Sequence, residues 1–67
     1  MNDELLELFR ERERLQSEHS FAHACFERAM RQGDDATAFF FYQLAEELFR
    51  EWQRADKRMM QATEERR

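Results

Sequence analysis

The sequence predicts an all-α fold: two long helices folded into an antiparallel hairpin that self-associates into a four-helix bundle. Three observations predict it. The 67 residues contain one glycine and no proline, and that glycine, Gly33, falls near the midpoint. Valine and isoleucine are absent, so the aliphatic residues are Leu, Met and Ala, which lose little rotamer freedom in a helix. Apolar residues recur every seventh position, with coiled-coil-like spacing, on both sides of Gly33.

Helix 1 is expected over residues 3–32. Asn2 or Asp3 can cap it, and Asp3, Glu4 and Glu7 suit its positive end. Arg28 and Arg31 suit its negative end. The turn is Gln32-Gly33-Asp34-Asp35. Glycine takes the left-handed conformation that ends helices, and either aspartate can cap the second helix. Helix 2 is expected over residues 35–63, with Glu64-Glu65-Arg66-Arg67 fraying. The hairpin is the whole of a single domain.

The heptad places Leu5, Arg12, His19 and Phe26 at a positions of helix 1, and Leu8, Leu15, Ala22 and Ala29 at d. Helix 2 has Ala38, Ala45, Trp52 and Met59 at a, and Phe41, Leu48, Ala55 and Ala62 at d. Folding at Gly33 opposes each a to a d. The layers are Ala29–Ala38, Phe26–Phe41, Ala22–Ala45, His19–Leu48, Leu15–Trp52, Arg12–Ala55, Leu8–Met59 and Leu5–Ala62. A second row occupies the e positions: Phe9, His23 and Met30, then Tyr42 and Phe49. Leu44 widens the apolar stripe on the other flank. So broad a face requires another layer of helices, supplied by a second copy as a homodimer or by another helical protein.

Composition narrows the function classes. The net charge is −4 and 39% of residues are charged. With Cys25 alone, no intramolecular disulfide is possible. No apolar run approaches the roughly 20 residues of a membrane span, and the acidic start lacks the basic region of a signal peptide. No membrane partner and a cytoplasmic location are expected. There is no serine or cysteine with a base beside it and no phosphate-binding glycine loop. The expectation is a protein that is not an enzyme and needs no cofactor.

Four constellations carry chemistry. Phe39-Phe40-Phe41-Tyr42 covers every side of one helical turn, so Phe39 and Phe40 either fold over the tip or dock a partner. Together with Phe9, Met30, Tyr42 and Phe49 they form the expected partner-binding set. His19 and His23 stand one turn apart with Glu27 a turn further on, a spacing that can chelate a metal across a two-fold. Arg12 takes a core position, with Asp56 and Glu51 within reach, and reads as a register-setting polar residue. Arg10, Arg14, Arg28 and Arg31, with Phe21 near their centre, line the outer face of helix 1. Such a face is either solvated by Glu–Arg pairs or an RNA surface, with arginine for phosphate and an aromatic ring for stacking.

This constellation, with Ala45-Glu46-Glu47-Leu48-Phe49-Arg50 in helix 2, resembles the Rop family of RNA-binding copy-number regulators. The resemblance implies a dimeric antiparallel four-helix bundle that binds paired RNA loops on helix 1. Arg10, Arg14, Phe21, Arg28 and Arg31 would then be the contact residues. The turn Arg31-Gln32-Gly33-Asp34 is also similar to that of small secretion co-chaperones. Three functions are expected: a self-associating regulatory interaction module, a Rop-like binder of structured RNA as the alternative, and a metal-binding bundle as the third.

Overall fold

The computed structural model describes residues 3–65. Two α-helices of 30 residues each, α1 (Asp3–Gln32) and α2 (Asp35–Glu64), pack side by side. Asn2, the alternative cap of α1, and Arg66 and Arg67 lie outside the described residues.

The turn is built as its residue types require. Gly33 adopts φ 71°. Its N–H donates to the Met30 carbonyl at 3.1 Å, and the Asp34 N–H donates to the Ala29 carbonyl at 2.9 Å. This is a Schellman cap, which satisfies carbonyls the end of α1 leaves open. Asp34 then starts α2: its Oδ1 accepts the Thr37 N–H at 3.2 Å and its Oδ2 accepts the Thr37 hydroxyl at 2.6 Å. One residue thus closes one helix with its amide and opens the next with its carboxylate. Those two bonds from Thr37 hold the Asp34 carboxyl below the usual range.

The heptad layers are present. Leu15, Ala22, Ala29, Ala38, Ala45, Leu48 and Ala55 are buried, and every other a and d residue is half-buried. The interior is therefore mostly alanine, with Phe41, Leu44 and Trp52 packed against its edge. Small residues let two helices approach closely but bury little apolar surface. No large side chain among the described residues is fully enclosed. The bulky groups are left on two flanks of the seam.

Candidate functional site

The flank carrying the e positions is aromatic along most of its length. Trp52 and Phe49 stack with centroids 6.2 Å apart, and Phe49 reaches across to His19 at 5.9 Å. His19 stacks on His23 at 6.3 Å, His23 meets Phe26 at 6.3 Å, and Phe26 crosses to Tyr42 at 5.9 Å. The rings form a ladder that crosses between the helices twice. It borders a groove of about 390 Å³ floored by Ala45. Phe9, Met30, Tyr42 and Phe49 each keep between 42% and 55% of their surface in solvent. The e residues project here because an antiparallel hairpin turns both e rows to the same side.

Arg12 belongs to this flank. It is half-buried at its a position, as His19 and Phe26 are. Its guanidinium pairs with Asp56, Nη1 to Oδ1 at 2.7 Å, with side chains 23% and 28% exposed. Its charge also lies over the Phe9 ring, 5.6 Å from the centroid. A cation is cheaper to hydrate at an edge than to bury. Asp56, not Glu51, is the partner because it occupies an e position beside the arginine. The Arg12 Nε and Trp52 Nε1 donors are buried without an acceptor in adjacent layers.

Tyr42 is the other polar element. Its phenol donates to Glu46, and hydrogen bond and carboxylate charge together raise its pKa. Glu46 also lies 3.7 Å from Arg50.

The histidine pair holds together without a third ligand. His23 Nδ1 lies 3.3 Å from Glu27, but no cluster of three or more His, Cys, Asp or Glu suited to a metal forms among the described residues. His19 meets α2 through the Phe49 ring.

The arginines of the outer face are exposed, but two are already engaged. Arg14 pairs with Glu18 at 2.9 Å and Arg31 with Glu27 at 3.5 Å. Arg10 and Arg28 have no ion pair among the described residues. Phe21 lies seven residues from both Arg14 and Arg28 on the same face. It borders a hollow with Ser17, Glu18, Leu44 and Leu48 on the flank opposite the aromatic ladder.

No family model matches the chain, and neither does any curated protein or solved structure. The functional reading rests on these surfaces. Among the described residues no helix is long and apolar enough to cross a membrane. Phe39 and Phe40 are exposed at the tip, with Phe40 set edge-on to Phe41 at 5.1 Å.

Proposed function

We propose that this chain is a helical-hairpin interaction module that works by self-association, two copies burying their aromatic flanks in a four-helix bundle. The observation that carries this reading is an excess of surface. A compact chain of 8.3 kDa exposes about 4,600 Å² by the usual size scaling, whereas this one exposes 5465 Å². The excess is close to the ~800 Å² that each partner contributes to a standard interface. The aromatic flank is the place to bury it. Half-exposed Phe9, Met30, Tyr42 and Phe49 line it, and Tyr42 and Phe49 are already held as rungs of the ring ladder.

A two-fold interface is isologous, so residues near the axis meet their own copies. Phe49 lies beside the midpoint of the eight layers and approaches its counterpart whichever way the hairpins point. Phe49→Glu therefore sets two carboxylates against each other in the most apolar part of the face. Sedimentation equilibrium of the parent is expected to show a dimer at micromolar concentration, and Phe49→Glu a folded monomer. A parent that stays a folded monomer at hundreds of micromolar would overturn the reading, as would an unchanged dimer in Phe49→Glu.

A further inference from the structure

We infer that the opposite flank is a receptor for a basic amphipathic helix from another protein. Three observations place it there, and none belongs to the aromatic ladder. Phe21 is 68% exposed, the most of any large apolar residue described, and borders a hollow of about 340 Å³ with Leu44 and Leu48. Phe40, Leu44 and Leu48 succeed one another at i, i+4 and i+8 on α2, a row about 12 Å long at the helical rise. That row and Phe21 form a short trough of the kind that takes the apolar face of a helix.

The rim decides the charge of the occupant. Arg58 pairs with Glu11 across this flank at 3.6 Å. Seven residues along each helix, the same register places Glu18, which lines the hollow, and Glu51 on the two sides of this flank. Glu47 adds a third carboxylate next to Leu48. Neither Glu47 nor Glu51 has an ion pair among the described residues, and the Arg14 partner of Glu18 is itself exposed, 59% by side chain. Such a pair exchanges readily for another cation. Glu18, Glu47 and Glu51 outnumber Arg14, the cation paired at this rim, so the trough favours lysine and arginine over phosphate and the occupant is a basic helix and not a nucleic acid.

The test uses the full chain and two fluorescently labelled 18-residue peptides of one amphipathic pattern, one of leucine and lysine, the other of leucine and glutamate. Anisotropy titration is expected to show micromolar binding of the lysine peptide and at least tenfold weaker binding of the glutamate peptide. Phe21→Ala is expected to weaken lysine-peptide binding tenfold or more. The solvent-exposed pair Glu47→Lys and Glu51→Lys is expected to reverse the preference, and it decides the matter if Phe21→Ala fails to fold. The Phe49→Glu variant is expected to bind the lysine peptide as the parent does, which separates this site from the dimer face. Equal binding of both peptides, or unchanged preference in the rim variant, would overturn the proposal. So would assembly beyond a dimer that Phe21→Ala abolishes, since the occupant would then be another copy.

Discussion

The two flanks of this hairpin come from one heptad pattern but are built differently. The e flank is a ladder of rings whose tightest ion pair is Arg12–Asp56 at 2.7 Å, with Glu46–Arg50 at 3.7 Å beside it. The other flank is a charged edge, with Glu11–Arg58 at 3.6 Å, broken by one apolar trough. The register that fixes the core leaves both edges unspecified. The residues at e and g decide whether a flank suits its own copy or something foreign. A ring-lined, low-charge face can meet itself without repulsion. A face rimmed by carboxylates cannot.

Side-chain truncation is expected to separate the flanks most clearly. Trp52→Ala removes the largest group packed on the core and leaves a hole at the end of the ladder, with an expected loss of about 3 kcal/mol. Leu44→Ala, at the edge of the trough, is expected to cost about 2 kcal/mol, near the lower end for its type. Urea unfolding followed by circular dichroism measures both. A loss below about 1 kcal/mol for Trp52→Ala would place the indole outside the packed interior.

Next come the ion pairs. Asp56→Ala breaks the half-buried pair and is expected to cost about 1 kcal/mol, against less than ~0.5 kcal/mol for Glu11→Ala on the exposed edge. Equal costs would erase the distinction. Arg12→Leu is expected to keep or raise the melting temperature, because an apolar side chain replaces a cation that needed a partner. It is also expected to broaden the oligomers seen in sedimentation, the polar layer having been removed. A strongly destabilised variant with unchanged assembly would instead make Arg12–Asp56 a structural pair.

The smallest effects are in titration. Glu46 raises the Tyr42 pKa, so this group's stabilising contribution is present below its ordinary pKa, near 10, and is lost as pH rises through the raised value. Phenolate absorbance is expected to show Tyr42 titrating late, and Glu46→Gln to bring it back. Asp34 runs the other way. Its folded pKa is lowered, so its contribution is present above its ordinary value of 3.8 and is lost as pH falls through the folded one. Asp34→Ala is expected to flatten that acid limb of the melting curve while also weakening the helix start.

Helix bounds and register were legible because strong local chemistry sets them. A lone glycine, two aspartates after it and a seven-residue period leave few arrangements, and every a and d residue is buried or half-buried. The choice between Asp34 and Asp35 was not legible. Asp34 is the cap because its amide completes the bonding that ends α1. The partner of Arg12 was legible only as a choice between Asp56 and Glu51, because a heptad assigns positions, not side-chain directions. Phe21 shares its outer-face positions with the arginines in sequence. Its ring nevertheless borders Leu44 and Leu48, a neighbourhood only the second helix supplies.

The two-residue turn also sets how the hairpin closes. Partners in a layer lie nine residues apart at Ala29–Ala38 and 57 apart at Leu5–Ala62. Each layer made next to the turn shortens the loop for the next, so pairing proceeds outward from Gly33 like a zip, each step at a small entropic cost. Opening runs in reverse. The ends of the chain part first, while the Schellman bonds and alanine layers stay closed. Amide exchange is therefore expected to slow steadily from Leu5 and Ala62 toward Ala22 and Ala45. Phe9 lies toward the loose end of that gradient and Trp52 near its middle, so a partner gripping both would brace the half of the hairpin that opens first.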